Sequence, residues 1–123
     1  MSYVKFKIPD KIKDQILSVL KTIADTRDSR IRIGMNETTK CIERGLAKLV
    51  VMAEDVSPPE ILYHIPLLCD EKKIPYAYVS GKKALGKAVK INVSSSAIAV
   101  EDLGSGNEKV LDDIKKKLEE LKK

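Results

Sequence analysis

The chain has 123 residues, 43% of them hydrophobic and 33% charged, which suits one globular domain with one core and argues against a disordered chain. No apolar run approaches the roughly 18 residues that a membrane span needs. There is also no apolar N-terminal segment with a cleavage site, so a cytoplasmic protein with no membrane association is expected. Lys and Arg number 23 against 18 Asp and Glu, a net charge of +5 that names no partner by itself.

In chain order, residues 3–8 (YVKFKI) alternate Val4, Phe6 and Ile8 with Tyr3, Lys5 and Lys7, the pattern of a short strand or an extended arm. Pro9-Asp10 opens a helix with Asp10 as its cap, and Ile12, Ile16, Val19, Leu20 and Ile23 form one apolar stripe along it. Ile31-Arg32-Ile33 reads as a brief strand, ended by Gly34, which permits the backbone turn that follows. Asn36 is positioned to cap the next helix, which runs to about Arg44 and stops at Gly45. Thr38, Cys41, Ile42 and Leu46 make its inward face, and Glu37, Lys40 and Arg44 share the outer one.

Leu49-Val50-Val51-Met52-Ala53 is a continuous apolar run, as in a strand covered on both faces by helices. Ser57-Pro58-Pro59-Glu60 has the form of a capping box with proline in the first turn, and Pro66 predicts a kink or a restart in the helix that follows. Residues 74–79 make the next strand, with Pro75 near its start. Ser80-Gly81 then turns into a short basic helix over residues 82–87. Residues 91–96 form a loop, and residues 97–100 form the last strand. Gly104-Ser105-Gly106 reads as a flexible break between a domain of residues 1–103 and a C-terminal amphipathic helix. Val110, Leu111, Ile114, Leu118 and Leu121 lie on that helix's apolar stripe, which docks on the body or on a partner. The alternation of helices and strands predicts an α/β sandwich with a small mixed sheet.

Cys41 and Cys69 lack metal-pair spacing and sit in helical apolar patterns, which suits buried thiols in a reducing compartment. His64 is the one histidine, near an apolar face where the ordinary role is structural. Residues 81–88 (GKKALGKA) nearly match a phosphate-binding loop, but Ala88 stands where a metal-holding hydroxyl belongs and the loop interior holds helix formers. Glu54 and Asp55 could pair for acid–base work, yet turn and cap roles explain them adequately. No nucleophile–base pair is recognisable, so neither an enzyme nor a cofactor nor a metal is expected.

Lys72, Lys73, Lys82, Lys83, Lys87 and Lys90 come without an intervening acid, so the positive excess belongs to the body of the chain. A helix start at residues 34–37 would gather free N–H groups that attract phosphate, with Lys40 and Arg44 extending that surface. Phosphate repels a carboxylate, so Glu37 in an RNA site needs a specific task, and accepting hydrogen bonds from guanine supplies one. Asn36 can address another base edge or the backbone. A plain helix cap, with an acid that suits the helix dipole, explains the same two residues.

The stretches GMNETTK at residues 34–40, ERGLAKLVVMAEDVSPPEI at residues 43–61 and LLCDEKKIPYAYV at residues 67–79 closely resemble the archaeal ribosomal protein 7Ae family. Its relatives include the ribosomal 30e-type proteins and the eukaryotic box C/D and box H/ACA core proteins. The resemblance covers residues 3–100 and implies a three-layer α-β-α sandwich, with a small mixed four-stranded sheet, that binds kink-turn RNA. Such RNA carries tandem sheared G·A pairs beside a bulge. The family's guanine-reading Asn and Glu fall on Asn36 and Glu37, its turn lysine on Lys40, and its basic residue after the third strand on Lys82. Its apolar loop over bulged nucleotides falls on Ile91-Asn92-Val93-Ser94.

Here the chain departs from its relatives, which commonly carry Gly at position 90, an acid at 92 and Pro or Ala at 94; Lys90, Asn92 and Ser94 predict tight but less selective binding. Met35 stands where relatives have a small residue or Thr and offers apolar contact to a base. The resemblance implies a home in the large ribosomal subunit, in box C/D and H/ACA guide particles, or in ribonuclease P. There the chain would be a monomer when free and would hold RNA for the core proteins that assemble on it. A ribosome-only protein of the 30e type is the alternative.

Overall fold

The computed structural model describes residues 3–122. Four short strands form its centre: β1 (Arg30–Ile33), β2 (Leu49–Ala53), β3 (Tyr76–Val79) and β4 (Ala97–Asp102). They lie in the order β1-β4-β2-β3. β2 and β3 are parallel, while β4 runs antiparallel to both β1 and β2. β1, β2 and β3 therefore point the same way, and their carboxyl ends share one sheet edge with the start of β4. Ile33 pairs Ile98, Met52 pairs Ala97 and Ala53 pairs Val79 along that edge.

Five α-helices cover the sheet: α1 (Asp10–Asp25), α2 (Met35–Glu43), α3 (His64–Lys72), α4 (Lys82–Ala88) and α5 (Glu108–Lys122). α2 packs on β1, β4 and α3, whereas α1 packs on β3, α4 and α5, and α4 rests on β2 and β3. All five residues of β2 are buried, as the unbroken apolar run requires of a strand with helices on both faces. This is the three-layer arrangement, and the mixed four-stranded sheet, that the resemblance implies.

Several local readings change. The alternating N-terminal segment is an arm without strand pairing, and Tyr3 is buried along with Ile8. The Tyr3 hydroxyl donates to the Ala53 carbonyl at 2.5 Å and accepts the Val56 N–H at 3.3 Å. Tyr78 donates to the Tyr3 carbonyl at 2.6 Å and accepts the Lys5 N–H at 3.0 Å. Burial pushes both phenols above their usual value, so they remain donors at ordinary pH. Phe6 meets the rings of Tyr76 and Tyr78 edge-on. Tyr3 alternates with lysines, yet its hydroxyl reaches the far end of β2, which no local pattern reveals.

Pro9, not Asp10, precedes the first turn of α1, and no side chain caps that helix. Ser57 likewise makes no capping box: Pro58 stands at the start of a short 3-10 helix, Pro59–Leu62, with no side-chain cap bond. The restart expected at Pro66 falls earlier, at His64, so that Pro66 occupies the third position of α3. The missing N–H of proline costs nothing there, because the first-turn donors of a helix have no intrahelical partner. Pro75 precedes β3 and still serves the sheet, its carbonyl accepting the Val50 N–H at 3.0 Å.

Residues 104–107 form a secured turn, not a flexible break. The Ser105 hydroxyl and N–H both donate to Asp28, at 2.6 and 3.0 Å. The Asn107 amide donates to Thr26 Oγ1 at 2.8 Å and to the Leu103 carbonyl at 2.7 Å. α5 then buries Ile114 and Leu118, and Lys117 donates to Gln15 of α1 at 2.6 Å. Cys41 and Cys69 are buried thiols, and among the described residues no group of three or more His, Cys, Asp or Glu could hold a metal ion.

Candidate functional site

Four chain segments meet at the carboxyl edge of the sheet, where open α/β folds bind their ligands. Gly34 follows β1, Glu54-Asp55 follows β2, Ser80-Gly81-Lys82 follows β3, and residues 91–96 lead into β4. Backbone bonds stitch them together. The Gly34 N–H donates to the Ala97 carbonyl at 2.9 Å, and the Ala53 N–H donates to the Ser96 carbonyl at 2.9 Å. The Ser95 N–H donates to the Lys82 carbonyl at 3.0 Å, and the Lys82 N–H donates to Asp55 Oδ1 at 2.9 Å. Asp55 thus serves a helix start, as its place in a strand-to-helix loop suggests. Glu54 is also engaged, accepting from Lys13 at 2.5 Å.

Gly34, not Asn36, stands at the N-cap position of α2, with φ 98° and ψ 157°, a conformation open essentially to glycine alone. No side chain caps this helix. The first intrahelical bond runs from the Thr38 N–H to the Gly34 carbonyl at 2.9 Å. The N–H groups of Met35, Asn36 and Glu37 therefore lack an intrahelical partner and mark the positive end of the helix. Asn36 and Glu37 are both exposed. The displacement of the cap by two residues frees the Asn36 amide for other contacts. Glu37 is joined to Lys40 at 3.6 Å, a contact across two exposed side chains that holds little energy.

The other expected residues divide. Met35 is half-buried and packs against the core, so its side chain anchors the turn. Arg44 follows the last residue of α2, about 13 Å down the helix axis from Met35 at 1.5 Å per residue. It shares the outer face with Lys40 but not the sheet edge. Lys82 is exposed at the first position of α4, on that edge. Ile91 packs on the core, whereas Asn92, Val93 and Ser94 are exposed, Val93 at 69%. The loop thus has one apolar anchor and one exposed apolar side chain.

The loop is welded to α4. The Ile91 N–H donates to the Gly86 carbonyl at 3.1 Å. A Cβ on Gly86 would collide with the Val93 carbonyl. The second glycine of the phosphate-loop look-alike therefore lies inside a helix, where it allows close approach of the backbone. Lys83 and Lys87, one helical turn apart, line a recess of about 350 Å³ with Ile91, Asn92, Val93 and Ser94. Their i, i+4 spacing on a short basic helix was the available signal that they share a face.

The lysine run does not act as one patch. Lys72 and Lys73 end α3, before β3 and away from this edge, and Lys90 pairs with Asp25 of α1. Lys90 has φ 63°, a left-handed backbone for which the glycine of relatives is better suited. His64 is half-buried, with Nε2 2.9 Å from Thr39 Oγ1, consistent with a structural role.

An α-β-α sandwich with an uncapped helix start, a basic helix and an apolar loop gathered on one edge defines an α/β binding module. The chain belongs to the ribosomal protein L7Ae/L30e/S12e/Gadd45 family, whose model matches residues 14–110. Among solved structures it is similar to the Giardia lamblia 15.5kD RNA binding protein, at 32% identity and a TM-score of 0.85. That match spans 93% of this chain and 92% of the Giardia protein.

Proposed function

We propose that this chain binds RNA, and specifically kink-turn RNA. The observation that carries the reading is the uncapped start of α2, with Asn36 and Glu37 exposed beside the Val93 loop and Lys82 on the same sheet edge. Asn36 and Glu37 read the guanines of sheared G·A pairs. Open N–H groups, Lys40, Lys82, Lys83 and Lys87 meet phosphate, and Val93 covers an unstacked bulge nucleotide. Arg44 extends phosphate contact along the outer face. Family membership and the likeness to a protein named as RNA-binding support the same reading.

On this reading the chain performs no chemistry. It holds a sharp bend in RNA so that core proteins assemble on it in the large ribosomal subunit, in archaeal box C/D and H/ACA guide particles, and in ribonuclease P. It is a cytoplasmic protein, monomeric when free.

The test is binding to a kink-turn RNA and to the same RNA with its G·A pairs replaced by Watson–Crick pairs, at two salt concentrations. A preference for the kink-turn that persists at higher salt is expected. Equal binding that fades with salt would reduce the site to a generic basic surface. Binding to isolated guide RNAs separates the broader role from that of a ribosome-only protein.

A further inference from the structure

A second set of contacts lies behind the open turn of α2. The Thr39 hydroxyl donates to the Met35 carbonyl at 2.8 Å, and the same oxygen lies 2.9 Å from Nε2 of His64. A threonine hydroxyl has one hydrogen, so with that hydrogen on Met35 the oxygen offers the imidazole nothing but lone pairs. In that arrangement His64 carries its proton on Nε2 and donates it, and donation runs from His64 of α3 to Thr39 to the Met35 carbonyl.

That carbonyl belongs to the peptide between Met35 and Asn36. A trans peptide is planar, with its C=O and N–H pointing opposite ways. Holding the oxygen therefore fixes the direction of the Asn36 N–H, one of the open donors of the helix start. A helical threonine divides between two rotamers as it chooses among carbonyls of the preceding turn. A donor arriving from a separate helix selects one of them.

We propose that His64 is a positioning residue for RNA recognition, which sets the Met35–Asn36 peptide through Thr39 and so aims the Asn36 N–H at the RNA. The inference rests on the kink-turn reading of the same site. It places a specificity determinant on α3, which itself contributes nothing to the sheet edge.

The full chain carrying His64→Ala, Thr39→Val or both is titrated with the kink-turn RNA and with its Watson–Crick counterpart. Each single change is expected to weaken kink-turn binding by about threefold to tenfold, the worth of one hydrogen bond, with little change toward the counterpart. The double variant is expected to be no worse than the weaker single, because both changes cut one relay. Thr39→Ser keeps the hydroxyl and is expected to bind as the unaltered protein, and His64→Gln, which retains a donor, to recover part of the loss.

Nitrogen NMR of the unaltered protein, at a pH where the ring is neutral, is expected to find the proton on Nε2; this readout does not depend on any variant folding. A proton on Nδ1, additive losses, or equal losses on both RNAs would overturn the inference. So would unchanged kink-turn affinity in both single variants while the unaltered protein retains its preference. An unaltered protein without any preference would instead bring down the kink-turn reading, and this inference with it.

Discussion

Two helices in this fold begin near a glycine of positive φ, and the polar side chains of the two turns are used in opposite ways. Gly34, at 98°, leads into α2, and Gly104, at 82°, precedes α5. At α5, Asn107 is buried and bonded to Thr26 and Leu103, while Ser105 is bonded twice to Asp28. At α2, no side chain caps the helix, and Asn36 and Glu37 face solvent. A Cβ on Gly104 would strike Thr26, whereas one on Gly34 would meet nothing within 4 Å. The polar side chains of the α5 turn are spent on the body of the chain, whereas those of Asn36 and Glu37 face solvent and are available to something outside it.

Four experiments press on this contrast. Gly104→Ala combines a left-handed backbone with a clash against Thr26, and is expected to lower stability by about 3 kcal/mol in denaturant unfolding, with kink-turn selectivity intact. A loss of selectivity without a loss of stability would reverse the roles assigned to the two turns. Glu37→Ala is expected to cost about 1–3 kcal/mol of kink-turn affinity, by analogy with direct base readout, and to leave the unfolding midpoint in place.

Gly34→Ala meets open space, so backbone strain alone acts, and a stability loss of about 1–2 kcal/mol is expected from the same unfolding measurement. The smallest effect concerns acid. The Ser105 hydroxyl, and then its N–H, hold the Asp28 carboxyl below its usual value. A depressed carboxyl stabilises the fold above the unfolded value, about 3.9 for Asp, and loses that contribution as pH falls through the folded value. Hydrogen exchange in the first turn of α5 is therefore expected to lose protection between pH 5 and pH 3 sooner than exchange in β2. Equal loss in both would detach Asp28 from the stability of that turn.

The order and type of the described strands and α-helices were legible in periodicity and glycine placement, whereas the 3-10 helix Pro59–Leu62 was not, and Leu46, expected on the inward face of α2, is 44% exposed. The roles of Tyr3, Ser57 and Gly104 were not legible for a shared reason: they depend on partners distant in sequence or on the absence of a bond that a local motif suggests. Asn36 shows the same effect inside the site. Its composition suits a cap, but Gly34 takes that position, and the side chain is left over. Position along the chain nominated the candidate residues; their division into half-buried ones such as Met35 and Ile91 and exposed ones such as Asn36 and Val93 required the packing. Lys72 and Lys73 joined the lysine run by proximity in sequence alone, since β3 carries the chain across the sheet before Lys82. Thr38 is fully buried with no partner for its hydroxyl among the described residues, and nothing in the sequence or the packing explains it.

The close approach of Val93 to Gly86 has a bearing on how such a surface can change over time. Main-chain contacts hold the loop against α4: Gly86 leaves room for the Val93 carbonyl, and the Ile91 N–H ties back to the Gly86 carbonyl. Asn92, Val93 and Ser94 are exposed on that frame and line the recess together with Lys83 and Lys87. Mutation at these three positions can therefore repaint the recess while the backbone frame that carries them stays in place.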